Sequence, residues 1–423
     1  MIKLKKLINC LLPSHVVAIL RITQALFGLI TTLLIIKNVT VEEQGLYYAF
    51  INLASSYVFF DLGLSGLLVQ IFSRLKDKKN YFLNNIFIVQ KYYLKLSFFF
   101  FIFLIPIGYF YFNTSRYSLP DKTWMQSWLF LVTTIAFSMT VNPIFSIVES
   151  IGKIKESYSI RLLALLIGTL LSWYLIFSHQ YLYAPLAVPL ALTIIGYTWA
   201  FKKYPYIFQF KSKHKKTNES ILRDKFHASY KKTIPTYIAS CLFLFIPPLI
   251  SFYFNGSASS GQLSLSLVFM NMIGILSFSS ITSKIPLLTR LISNNEGAKG
   301  KRIFLNEFKK TIYMNILGYF LFIMILYIFK DHSLSHRFLK IDELCLLAIM
   351  NLINQVIFLV NIYYRAKNQE PLAKSYFFAT AGGLLIAMFF GHRLGNIGII
   401  ISILIPYVFF CVPKIIKSLR RII

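Results

Sequence analysis

The sequence predicts an all-α, multi-pass membrane protein of about twelve transmembrane helices, in two six-helix halves with both termini cytoplasmic. Three observations carry this. Apolar runs of about 18 to 25 residues recur along the whole chain, Lys and Arg crowd into alternate connectors, and one long basic connector sits at the midpoint. Of the 423 residues, 57% are hydrophobic, 17% aromatic and only 14% charged, with a mean hydropathy of +0.64. Soluble domains carry about 25% charged residues and break their apolar side chains into short runs. A bilayer core of about 30 Å needs roughly 20 helical residues to cross it. Continuous apolar runs exclude a barrel, whose strands alternate over roughly 10 residues. Backbone groups in lipid must be satisfied within their own segment, which makes these runs helices.

The spans follow in order. The first half takes 15–37, 45–70, 92–112, 124–148, 157–177 and 181–201; the second takes 233–254, 262–283, 311–329, 344–364, 373–391 and 396–413. The basic opening, MIKLKKLINC, runs into a full-length span without a small-residue cleavage site, so it reads as a retained helix. Placing the N-terminus inside puts 34 of the 44 Lys and Arg in cytoplasmic segments and only 7 in external loops. Short loops rich in Lys and Arg resist translocation, and one missed span would invert every loop downstream. The formal charge of +29 is therefore topological. It calls for no nucleic acid, and it suits anionic lipids on the cytoplasmic side.

The connector 202–232 is the longest and most basic, giving domains 1–209 and 233–423 joined by a basic linker, 210–232. At an offset of 218, FSIVESIGKIKESY (145–158) weakly echoes YYRAKNQEPLAKSY (363–376). Six spans per half give both halves one orientation, a parallel repeat. Transporters so built place the substrate path between repeats and rock one against the other. No phosphate-binding GxxxxGK[ST], no HExxH and no Cys/His cluster is present, so no cofactor and no metal is expected. Cys10, Cys241, Cys345 and Cys411 are isolated and form no disulfide framework.

Certain stretches resemble a known family. Glu43-Gln44-Gly45-Leu46-Tyr47-Tyr48, Asp61-Leu62-Gly63-Leu64-Ser65-Gly66 and the turn Glu149-Ser150-Ile151-Gly152-Lys153 are similar to the bacterial O-antigen and polysaccharide flippases of the Wzx type. These belong to the multidrug/oligosaccharidyl-lipid/polysaccharide exporter (MOP) superfamily. The resemblance implies movement of an undecaprenyl-diphosphate-linked oligosaccharide from the inner to the outer leaflet of a bacterial cytoplasmic membrane. It also implies polymerase and chain-length regulator partners for lipopolysaccharide or capsule synthesis, and no enzymatic activity of its own.

Such a substrate carries a charged diphosphate and many hydroxyls, which hydrocarbon excludes. Arg21 lies about six residues, roughly 9 Å, inside the first helix. It is followed at helical spacing by Gln24, Gly28 and Thr31 or Thr32, and its planar fork suits phosphate oxygens. Asp61 is the only acid deep in a span. It serves ion coupling in one reading, and a salt bridge to Arg21 or helix packing in the other. Arg161, in the fifth helix, is a second candidate for phosphate, and Lys95 reads as a snorkelling surface residue. Asn351, Asn354, Gln355 and Asn361 share one face of the tenth helix. Their amides suit sugar hydroxyls and equally suit interhelical hydrogen bonds.

Two competing functions remain. A drug or organic-cation antiporter of the same superfamily wants buried acids, of which the chain has one. A membrane polysaccharide polymerase usually wants a sizeable external loop, and none here exceeds about 14 residues.

Overall fold

The structure, a computed structural model, describes residues 13–61, 64–65, 68–69, 72, 79–114, 123–208, 219–293, 296–332, 335–367 and 369–422. These residues are overwhelmingly helical and none is in a strand. The helices are α1 (Pro13–Asn38), α2 (Val41–Ala54), α3 (Lys79–Thr114), α4 (Thr123–Ser150), α5 (Ile154–Phe177), α6 (Ala187–Lys203), α7 (Glu219–Asn255), α8 (Ser257–Ser293), α9 (Gly297–Ile328), α10 (Ile341–Arg365), α11 (Ala373–Pro406) and α12 (Val412–Ile422). Most outrun the apolar spans that predict them. The polar turns flanking each run stay helical, because lipid gives an apolar run no reason to end before it reaches water. α3 thus begins at Lys79, well before its apolar run, and α7 continues through Pro235, Pro247 and Pro248.

Among the described residues, ten helical stretches are long and apolar enough to cross a membrane. Two of the twelve expected spans are not separate among them. The second, 45–70, lies partly outside the described residues: α2 runs to Ala54, passes through a 3-10 turn, Ser55–Tyr57, and is helical again over Val58–Asp61. The eleventh and twelfth run on as one stretch, α11, broken at Gly395 (φ 62°, ψ −144°). Only a residue without a Cβ adopts that conformation freely, so the break is encoded by a glycine that an apolar count passes over.

The chain divides into two compact units. The first holds α1, the Leu53–Asp61 segment and α3 to α6; the second holds Val41–Asn52 of α2, then α7 from Arg223 onward to α12. In the first unit α5 packs on α1 and α6, and α4 on α3 and α6. Its interior is aromatic: Trp128 packs on Phe112 with ring centroids 5.5 Å apart, and Trp199 stacks on Phe145 at 5.6 Å. In the second unit α8 packs on α9 and α10, and α10 also on α9, α11 and α12. Phe243, Met270, Phe304, Met350 and Tyr407 fill its core. The outward surface is apolar, with Phe98, Phe110, Phe320, Phe389 and Phe409 all exposed, as a lipid-facing belt requires.

Each unit contains the same close helix crossing. A Cβ built on Gly168 of α5 would lie 2.6 Å from Val188 Cα and 3.0 Å from the Ala187 carbonyl oxygen. One built on Gly383 of α11 would lie 2.8 Å from Ile403 Cα and 2.9 Å from the Ser402 carbonyl oxygen. The partners are in each case the residue twenty positions on and its predecessor, and the two crossings are 215 residues apart. In lipid, where apolar burial drives little helix association, such small-residue contacts hold backbones together. This shared contact supports the internal repeat more directly than the residue identities at offset 218.

Candidate functional site

In the first unit the guanidinium of Arg21 is exposed on α1 and makes no hydrogen bond or ion pair among the described residues. Gln24, one turn on, is exposed as well. Further along α1 the polar face turns inward: Thr31 accepts from Trp173 Nε1 at 2.8 Å, and Thr32 is buried and bonded to the Gly28 carbonyl. The polar stripe thus splits into a free cationic end and a structural end that ties α1 to α5.

A pairing of Arg21 with Asp61, one of the readings open to that acid, does not occur among the described residues. Asp61, half-buried, accepts from Tyr93 Oη at 2.5 Å through one carboxylate oxygen and from Ser65 Oγ at 3.2 Å through the other. Hydroxyl donors hold the carboxylate locally, on the partner helix α3 and one turn along its own. Of the DLGLSG motif, Leu62, Gly63 and Gly66 lie outside the described residues.

Arg161 is not a free cation. Its Nη2 meets Glu149 Oε1 at 2.9 Å, and the same carboxylate oxygen accepts from Ser157 Oγ at 2.8 Å. The guanidinium also covers the Phe145 ring at 4.6 Å and the Tyr158 ring at 5.3 Å. The group therefore fastens the C-terminal end of α4 to the start of α5. Lys95 is exposed, in keeping with a snorkelling role.

A comparable fastening occurs at the α10–α11 connector of the second unit. Glu370, with its side chain 3% exposed, accepts from Arg365 Nε at 2.6 Å and from Thr236 Oγ1 at 2.5 Å. Each unit thus anchors the end of its fourth span with one arginine, one carboxylate and one hydroxyl. The arginine follows the connector in the first unit and precedes it in the second.

The amides of α10 face protein. Asn351 donates to the Leu347 carbonyl at 3.1 Å and lies against Met270 Sδ at 3.8 Å. Asn354 Oδ1 accepts from Tyr376 Oη at 2.6 Å. Gln355 fits over Gly274, where a Cβ would meet its amide nitrogen at 2.2 Å. All three are less than a tenth exposed, and Asn361 is fully buried with neither amide atom hydrogen-bonded. Of the two readings open to this stripe, the geometry realises interhelical contact for Asn354 and Gln355.

Sequence reasoning passes over a second polar line. On α9, Glu307, Thr311, Asn315 and Tyr319 recur every fourth residue and are all buried. Glu307 holds Lys284 in an ion pair and accepts from Ser280 Oγ at 2.6 Å. Thr311 Oγ1 and Asn315 Oδ1, like Asn351 Oδ1, receive no donor. A buried polar atom without a partner costs about 1–3 kcal/mol, so these oxygens mark an interior ready for a donor. The four-residue spacing was the signal available in the sequence.

At the opposite end of the second unit, helices α2 and α8 nearly touch. A Cβ on Gly45 would lie 1.7 Å from the Ser257 carbonyl oxygen, and one on Gly261 would lie 3.0 Å from Gly45 Cα. Asn52 Nδ2 donates to Ser264 Oγ at 3.2 Å, and Arg337 Nη1 to Gln44 Oε1 at 3.4 Å. Burial lowers the pKa of the Arg337 guanidinium, against an opposing pull from Glu42 and Glu43.

No family model and no curated protein matches this sequence. Solved structures do match in fold. A MATE-family multidrug-resistance transporter of the MOP superfamily, inward-facing, superposes with a TM-score of 0.67 at 13% identity, covering 96% of this chain and 98% of that one. The lipid II flippase MurJ, inward closed, gives 0.66 at 15% identity over 95% of this chain and 87% of that one. A MOP-superfamily transporter from Pyrococcus furiosus, described as having a binding pocket of reversed polarity, gives 0.53 at 13% over 97% and 94%. The chain is a multi-pass membrane protein with the fold of MOP-superfamily transporters.

Proposed function

We propose that the protein is a flippase, carrying an undecaprenyl-diphosphate-linked oligosaccharide from the cytoplasmic to the outer leaflet of a bacterial cytoplasmic membrane by alternating access. The observation that carries this reading is Arg21, a guanidinium inside a span that no group among the described residues neutralises. A lone charge within a membrane is costly and is retained where function uses it. The one deep acid, Asp61, is held by the Tyr93 and Ser65 hydroxyls and forms no ion pair with Arg21 among the described residues, so the guanidinium stays open to an anionic cargo. In this reading Arg21 holds the diphosphate and Gln24 an adjacent oxygen. The buried amides of α10 and the polar line on α9 keep the second unit's interior hydrophilic enough for sugar hydroxyls. Neighbours of the same fold include a lipid II flippase, whose cargo class is similar. Both termini lie in the cytoplasm, and polymerase and chain-length regulator proteins take up the exported unit.

The test is the lipid-linked oligosaccharide pool, by mass spectrometry, in cells lacking the protein, alongside surface staining for the polysaccharide. Complete repeat units should accumulate inside, with none on the surface. Arg21→Ala should reproduce this at normal protein levels and Arg21→Lys should restore part of the export. Normal export by a stably inserted Arg21→Ala protein sinks the diphosphate role. Asp61 keeps one competing reading in play, since a half-buried carboxylate is what a cation antiporter needs. Unchanged lipid-linked pools with altered drug tolerance select that function instead.

A further inference from the structure

We propose that α12 is a docking surface for an anionic phospholipid of the leaflet it adjoins. The argument starts from how the helix is held. α11 ends at Pro406 and passes through a wide turn, Tyr407–Cys411, whose Phe409 and Phe410 point outward, 71% and 62% exposed. The chain then continues as α12, VPKIIKSLRRI. Ile415, Ser418 and Ile422 are buried, and Tyr364 Oη of α10 donates to the Ser418 carbonyl at 3.1 Å. With that face fixed to the unit, the opposite face is committed outward. It carries Lys414, Lys417, Arg420 and Arg421, all exposed, with Ile416 among them, 46% exposed.

These four cations form no ion pair among the described residues. Tracing α7 to α12 up and down puts the α8–α9 and α10–α11 connectors at the same end of the unit as α12. The carboxylates described there are already taken: Glu296 by Lys299, Glu307 by Lys284 and Glu370 by Arg365. Among the described residues the positive face therefore has no internal counter-charge. Its depth identifies the counter-charge it takes. Phe409, Phe410 and Ile416 belong to the lipid-facing belt and lie within one to three turns of the cations. A helix that is basic on one side and flush with an apolar belt sits at the headgroup boundary. Lys and Arg stems lie along the acyl region while their heads reach phosphate. A soluble acidic protein would meet the apolar belt along with the charges, whereas a phospholipid matches both.

The experiment uses the full-length protein purified in detergent and a variant with Lys414→Gln, Lys417→Gln, Arg420→Gln and Arg421→Gln. Native mass spectrometry counts retained phosphatidylglycerol against phosphatidylcholine, and melting temperature is followed as each lipid is added. The native protein should prefer phosphatidylglycerol by about tenfold or more, salt should weaken the preference, and the variant should lose it. A control carrying Arg302→Gln, Lys309→Gln and Lys310→Gln on α9 should keep it. If the fourfold variant misfolds, the outermost pair alone, Arg420→Gln with Arg421→Gln, should still lower the preference. An unchanged preference in the variants, an equal loss in the control, or equal protection by inorganic phosphate overturns the proposal. None of these outcomes depends on whether the protein is a flippase.

Discussion

Gly45 offers a direct way to weigh the α2–α8 contact. Its missing side chain makes room for the Ser257 backbone, since an added Cβ would lie 1.7 Å from the carbonyl oxygen, 2.3 Å from the carbonyl carbon and 2.8 Å from Cα. All three are backbone atoms, so no rotamer change relieves the clash. Restoring ordinary van der Waals distance requires the helices to part by about 1.5 Å or more. Overpacking of this kind costs about 1–3 kcal/mol. The displacement also strains the Asn52–Ser264 and Arg337–Gln44 hydrogen bonds, each worth about 0.5–1.5 kcal/mol. Gly45→Ala is therefore expected to destabilise the protein by about 2–6 kcal/mol. Thermal unfolding in detergent, followed by tryptophan fluorescence, reads this out. Gly382→Ala serves as the reference, because nothing lies within 4 Å of the Cβ it would add. Equal melting temperatures for the two alanine variants would refute the close-contact argument.

Other expectations concern individual groups. Arg365→Ala leaves Glu370 in a buried site without its cation. With the arginine about a third exposed and partly screened, the loss should be about 1–3 kcal/mol, and adding Glu370→Gln should recover part of it in a double-mutant melt. Asp61→Asn keeps an acceptor for Tyr93 and Ser65, so its melting temperature should stay near that of the native protein. Export by that variant then separates a packing role, in which it persists, from ion coupling, in which it stops. In a Cys10→Ser, Cys345→Ser background, Lys340→Cys should react with a membrane-impermeant maleimide on intact cells, and Lys414→Cys only after permeabilisation. Cys241 and Cys411 are buried and should stay silent, and the opposite labelling pattern reverses the topology.

Much of the architecture was legible because apolar run length and Lys/Arg asymmetry are one-dimensional quantities. They locate helices without reference to packing. What escaped them was set by single residues or by contacts between distant segments. Gly395 breaks α11 with one backbone conformation, and the 3-10 turn at Ser55–Tyr57 tightens the helix within a run that hydropathy reads as uniform. The candidate residues divide along the same line. Arg21 and Gln24 were found because polar groups in an apolar run stand out by identity alone. Whether such a group is free or engaged depends on neighbours far away in sequence. Arg161 stood out equally and turned out to hold Glu149, while Asp61 found Tyr93 rather than Arg21. The α9 line of Glu307, Thr311, Asn315 and Tyr319 went unseen because its members are each unremarkable and only their spacing is informative.

The grouping of Val41–Asn52 with the second unit bears on how the chain comes to be folded. These residues leave the ribosome more than 200 positions ahead of Ser257, Gly261 and Ser264, their partners on α8. During synthesis the N-terminal part of α2 enters the membrane with its Gly45 face unoccupied, and it keeps that face until α8 arrives. Domains generally complete themselves in order from the N-terminus, but here the early unit cannot take in its own second helix in full. Truncation after residue 209 should leave Gly45 without the Ser257 backbone it packs against, and the fragment should be cleared faster than the full chain in a pulse-chase experiment.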